Sequence, residues 1–206
     1  MGRGSAGHLQ EGPPFRAPGI DAPPRAGAHA PNPDAPSRRG RRAFVSNGGT
    51  AGVAVFDAWS RKFLKLIFAG KAIMGIESSR DGKHVWVTEG GDRVVSVLGT
   101  KELEVVREVN LEKDPHGLAF GPSGTRLYIT NRLDNNLAII DAKSFKVLAK
   151  IPTSSKPDII AIAPDETEAY VTTRVSNVVD VIDLKKRKVV KSIRVGKDPH
   201  GIVIKP

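Results

Sequence analysis

Apolar residues along this chain fall into short blocks rich in valine and isoleucine, each too brief for a packed helix and each bounded by turn chemistry. Between residues 118 and 151 the blocks are Leu118-Ala119-Phe120, Leu127 to Thr130, Leu137 to Asp141 and Lys146 to Ile151. The breaks are Gly121-Pro122-Ser123-Gly124, Asp134-Asn135-Asn136 and Ala142-Lys143-Ser144, and the last block runs into Pro152 to Pro157. This pattern predicts four strands: A over 117–120, B over 126–130, C over 137–141 and D over 146–151.

The same pattern returns every 42 residues without insertion or deletion. Counting by that interval from Tyr128 reaches Phe44, Trp86 and Tyr170; the next positions read Val45, Val87, Ile129, Val171, then Ser46, Thr88, Thr130, Thr172. A constant period of this length with strand-like content matches a repeat whose unit is one four-stranded propeller blade. The expected fold is therefore all-β, a β-propeller of four 42-residue, four-stranded antiparallel blades over residues 43–206. Blades stack face to face, so the columns Phe44, Trp86, Tyr128, Tyr170 and Val55, Val97, Ile139, Val181 are predicted interblade core. Burial should give each of these side chains about 1.5 to 3 kcal/mol. Trp86 stands on that column and is expected in the core rather than against a cofactor. Trp59 has Lys101, Lys143 and Lys185 as its equivalents in the C to D turn, so it is expected to be exposed or covered by the N-terminal segment.

The repeats begin at Ala43, just before a strand B, and residues 201–204 read as a leftover strand A. In a propeller that closes, such a strand completes the first blade and hides its edge. Leu127-Tyr128-Ile129-Thr130-Asn131, followed by Leu137-Ala138-Ile139-Ile140-Asp141 and preceded by Pro115-His116-Gly117-Leu118-Ala119, resembles the YVTN family of β-propeller repeats. The resemblance covers residues 43–206. It implies blades that pack at the wedge angle of a ring of about seven, a periplasmic or extracellular setting, and relatives among quinoprotein and nitrite reductase propellers. Four blades at that angle span about 4/7 of a circle, so an open arc, a partial propeller or strained closure is expected. An open arc leaves two apolar end faces, with Phe44 and Tyr170 among their residues, and favours self-association or pairing with blades of another chain.

Residues 1–42 belong to another compositional class, rich in proline, glycine and arginine and free of lysine. With little large apolar content besides Leu9, Phe15 and Ile20, this segment is expected to be disordered. It contains no apolar signal-peptide core, and Arg38-Arg39-Gly40-Arg41-Arg42, which has the look of a twin-arginine signal, leads straight into a strand. Phe63 to Ala69, the longest apolar run, is interrupted by Lys65 and falls short of the roughly 18 residues of a membrane span. The sequence therefore reads as soluble. The absence of cysteine removes disulfides and thiolate ligands and fits either redox compartment.

Strand order places the D to A and B to C loops on one face, around the mouth of the channel where such rings bind ligands. Met74, His116, Asp158 and His200 share one repeat phase there, with Asp114 and Asp198 two residues before the histidines. Converging, two imidazoles, a carboxylate and a thioether could hold a transition metal, with His116 and His200 as the principal ligands. The plainer alternative is that Asp114-Pro115-His116-Gly117 and Asp198-Pro199-His200-Gly201 are simply the turn into strand A.

Catalytic constellations are otherwise missing. No nucleophile elbow, phosphate loop or paired metal-ligand spacing occurs, and Asp57, Asp141 and Asp183, recurring at the end of strand C, suit capping of backbone N–H groups. The net charge of +10 includes a basic cluster, Lys185, Lys186, Arg187, Lys188 and Lys191, in the last blade. That blade's one aromatic, Tyr170, is in the core column, so a solvated edge is favoured over nucleic-acid binding. The expectation is a non-enzymatic propeller module that binds a protein or small ligand on its loop face and carries no cofactor. The alternative is a redox-type propeller holding a metal or haem-like tetrapyrrole at His116 and His200, with a lactonase-like hydrolase third.

Overall fold

The computed structural model describes residues 41–47, 51–70, 72–111 and 113–205. The expectation of disorder over residues 1–42 lies outside these residues, except for Arg41 and Arg42. Those two belong with the folded part: Arg42 opens the first strand, and the Arg41 guanidinium pairs with Asp57 at 2.9 Å.

The described residues form fifteen strands and no helix. The first sheet has three strands, β1 (Arg42–Asn47), β2 (Gly52–Asp57) and β3 (Phe63–Phe68), in that order. The second contains β4 (Ile73–Ser78), β5 (His84–Glu89), β6 (Val94–Gly99) and β7 (Glu104–Asn110). The third contains β8 (Pro115–Phe120), β9 (Arg126–Asn131), β10 (Asn136–Asp141) and β11 (Val147–Pro152). The fourth contains β12 (Pro157–Ile162), β13 (Glu168–Thr173), β14 (Val178–Asp183) and β15 (Lys188–Arg194). Each is an antiparallel meander in chain order, the A-B-C-D order of a blade with strand A missing from the first.

Register follows the period. Phe44 faces Val55, Trp86 faces Val97, Tyr128 faces Ile139 and Tyr170 faces Val181 across the B to C ladder. The core consists of three layers between successive sheets. Val53, Val55 and Ile67 of the first meet Val85, Val87 and Leu98 of the second; Trp86 and Val97 meet Leu127, Ile129 and Ile140; Tyr128, Leu137 and Ile151 meet Val171 and Ile182. Trp86 and Tyr128, in the middle of the series, are fully buried, whereas Phe44 and Tyr170 toward its ends are only half-buried. Trp86 stacks on Phe145 at 5.4 Å and meets Phe120 edge-on at 6.2 Å, the geometry aromatic quadrupoles favour. Trp59 is 72% exposed in its turn.

The ring is not closed. Residues 201–205, expected as a leftover strand, form no ladder, because no strand B within the chain stands beside them to supply backbone partners. No helix among the described residues is long and apolar enough to cross a membrane.

The recurrent carboxylates are caps. Asp57 accepts from the backbone N–H groups of Trp59 and Ser60, Asp141 from Lys143 and Ser144, and Asp183 from Lys186. These bonds, that from the Ser60 N–H at Asp57, from Ser144 at Asp141 and from Lys186 at Asp183 being the largest contributions, hold all three carboxyls below the usual range. A depressed folded value adds stability above the unfolded value near about 4 and loses it as pH falls through the folded value. The thermal midpoint should therefore drop as pH is lowered from about 5 toward 2, and Asp141→Asn should flatten that slope. A midpoint indifferent to pH across this window would show that the caps contribute nothing.

Candidate functional site

The threonine of each strand B builds the loop face. In each A to B ladder the register shifts by one residue, between Pro115 and Leu118 for example, so one backbone N–H leaves the ladder and needs another partner. Thr88 Oγ1 accepts from Gly75 N at 2.7 Å and donates to the His116 carbonyl of the next sheet at 2.6 Å. Thr130 Oγ1 accepts from Gly117 N at 2.9 Å and donates to the Asp158 carbonyl at 2.6 Å. Thr172 Oγ1 accepts from Ile159 N at 3.0 Å and donates to the His200 carbonyl at 2.8 Å. Each hydroxyl thus pins the start of the next innermost strand, at the residues whose shared phase marked them in the sequence.

Side chains that are 42 residues apart in the chain consequently meet. His116 Nδ1 lies 3.1 Å from Asp158 Oδ1 and His200 Nδ1 lies 2.8 Å from Asp158 Oδ2, with the two imidazole centroids 6.4 Å apart. Met74, His116 and His200 line one cavity of about 360 Å³ together with Gly75, Gly117 and Ile159. Met74 packs beside Gly90, where Asp114 also approaches. Asp114 and Asp198 stand at the rim, both in the left-handed region at φ 60° and 53°, which aspartate tolerates better than most residues.

Two arginines complete the cluster. Arg132 Nε is 3.5 Å from Asp158 and 4.0 Å from Asp114. Arg174 clamps Asp198 through Nε and Nη2 at 2.5 and 2.6 Å, and its Nε is 4.0 Å from Asp158. That hydrogen bond pushes Asp198 down and Arg174 up from their ordinary values. Sequence reasoning missed both arginines, although they share a phase at the head of the B to C loop, where Gly90 stands in the second blade.

Asp158 is fully buried, and neither of its carboxylate oxygens accepts a hydrogen bond. The surrounding imidazoles and guanidinia reach ion-pair distance, but none is aligned for a hydrogen bond. Burial holds His116 below its usual value, with Asp158 pulling the other way, so its imidazole is neutral at pH 7. Among the described residues, no group of three or more His, Cys, Asp or Glu is placed to hold a metal ion. His116 and His200 alone do not make a metal centre, and no chemistry through a metal is derived.

Residues 119–205 match the model of the YNCE-like beta-propeller family. These are YVTN-type β-propeller blades. Among solved structures the chain is similar to Kuenenia stuttgartiensis hydrazine synthase, with 24% identity and a TM-score of 0.72 over 79% of this chain and 48% of that one. It thus spans about half the length of that structure. At this identity the likeness establishes the fold alone. No curated protein matches the chain. In the YVTN-type blade, the tyrosine position supplies the interblade column and the threonine position ties each blade to the next. A larger cleft of about 920 Å³ lies on the opposite face between the third and fourth blades, lined by Tyr128, Glu166, Asp183 and the basic run Lys185 to Arg187. It contains none of the loop-face candidates.

Proposed function

We propose that the protein is a non-enzymatic binding module whose loop face receives a small ligand, or a segment of a protein, that presents N–H donors to Asp158. The observation that carries this reading is the buried Asp158 carboxylate, reached by two imidazoles and two guanidinia and hydrogen-bonded by none. A buried charge without hydrogen bonds is costly, and a donor entering between Met74, His116 and His200 would relieve that cost. Arg132 and Arg174, held by Asp114 and Asp198, would orient acceptor groups of the same ligand.

Calorimetric titration with a panel of small amines and amides tests it. At least one should bind, and Asp158→Asn should weaken it about tenfold or more, the scale of one charge-assisted hydrogen bond. Equal binding to the variant, or no binding across the panel, would remove the proposal. A second reading, a metal or tetrapyrrole held by His116 and His200, draws on the two imidazoles facing one cavity. It requires bound metal or a visible absorption band in the purified protein that His116→Ala abolishes.

A further inference from the structure

We propose that residues 201–205 of one copy of this chain complete the first blade of a second copy, adding the missing innermost strand to the free edge of β1. Four observations meet here. First, β1 ends its sheet, so its outward N–H and C=O groups have no strand partner among the described residues. Such an edge is a template for another strand.

Second, β1 is uncovered at the positions its equivalents bury. Val45 is 49% exposed, whereas Val87, Ile129 and Val171 at the same phase are 0% exposed. Ala43 is exposed, while Val85, Leu127 and Ala169 are buried. A neighbouring blade and an inner strand are what cover those positions elsewhere.

Third, Ser46 occupies the phase of Thr88, Thr130 and Thr172. Each of those hydroxyls takes the N–H of its own strand A at residues 75, 117 and 159. The next residue in that series is Gly201, so Ser46 carries the hydroxyl that would receive the N–H of a strand made of residues 201–205.

Fourth, that strand is already presented. The bond from Thr172 to the His200 carbonyl sets it at the open end of the fourth blade, where the next blade's strand A would start. Beyond it, residues 201–205 pair with nothing and Val203 is 88% exposed. A Cβ built on Gly201 meets no atom within 4 Å, whereas at Gly75 and Gly117 it falls on the next blade's strand. The space a further blade would fill is open.

The repeat dictates the register. Leu118, Ala119 and Phe120 face Ile129, Tyr128 and Leu127, so Ile202, Val203 and Ile204 of one copy should face Val45, Phe44 and Ala43 of the other. The contact is heterologous, the end of one arc against the start of another. Two copies making it twice close a ring of about eight blades, within the range of known propellers.

A chain without cysteine allows a direct test on the full-length protein. In the double variant Val45→Cys, Ile202→Cys, mild oxidation should give a disulfide between chains and a non-reducing gel band at twice the chain mass, since directly opposed strand residues approach to disulfide range. The slipped pair Val45→Cys, Val203→Cys should cross-link about tenfold less, because a one-residue shift turns the side chain to the other face. Light scattering of the unsubstituted chain should return a dimer, and Val203→Pro should halve the mass while leaving the circular dichroism spectrum unchanged. A disulfide within one chain, no disulfide, or a monomeric unsubstituted chain would overturn the proposal. None of these outcomes bears on Asp158, so the loop-face reading stands or falls separately.

Discussion

Tyr128→Ala should destabilise the protein by about 3 to 5 kcal/mol, the scale of large-to-small changes at buried aromatic sites. Tyr128 is 0% exposed, faces Ile139 across the ladder and packs in the layer that joins the third and fourth blades. Its hydroxyl donates to Glu166 of the next blade at 3.0 Å, and burial, with Glu166 adding to it, pushes the phenol up to about 12. The group is therefore neutral throughout the working range, and its bond is a small part of the effect. Tyr128→Phe should cost about 1 kcal/mol, the net worth of one hydrogen bond. Lys143→Ala, at an exposed position of the C to D turn, should change stability by less than about 0.5 kcal/mol. Urea melts of the three variants supply the test, and a similar loss at Lys143 and Tyr128 would contradict the interblade layer.

Gly117→Ala should damage the fold and the candidate site together. An added Cβ would fall on the Asp158 carbonyl oxygen, with Ile159 Cα at 3.1 Å and Asp158 C at 3.2 Å behind it. All of these are backbone atoms, and the carbonyl is already the acceptor of the Thr130 hydroxyl, so β12 itself must move. Overpacking of this kind costs typically about 1 to 3 kcal/mol. The same shift would carry the Asp158 carboxylate away from His116 and His200, so ligand binding should fall along with the urea midpoint. Gly196→Ala, where a Cβ meets nothing within 4 Å, should leave both unchanged. Loss of stability with intact binding would detach the site from the strand-to-strand approach at Gly117.

The repeat made the fold legible. A 42-residue period states which residues are equivalent, and alternation within a strand states which share a face, so the B to C register, the paired core columns and the missing first strand could all be read from the chain. The shared phase of Met74, His116, Asp158 and His200 was legible for the same reason, as were the turn caps at Asp57, Asp141 and Asp183. Equivalence gives no distances, however. Whether His116 and His200 touch Asp158 depends on how closely successive innermost strands approach, and that is set by Thr130 and Thr172 bridging blades and by glycine at 117. Arg132 and Arg174 were invisible as site residues because a loop arginine reads as solvated until the fold turns it toward a buried carboxylate. The missing hydrogen bonds at Asp158 and the uncovered edge of β1 belong to the tertiary structure alone, since both concern partners that are absent in space, and a one-dimensional pattern records only the residues that are present.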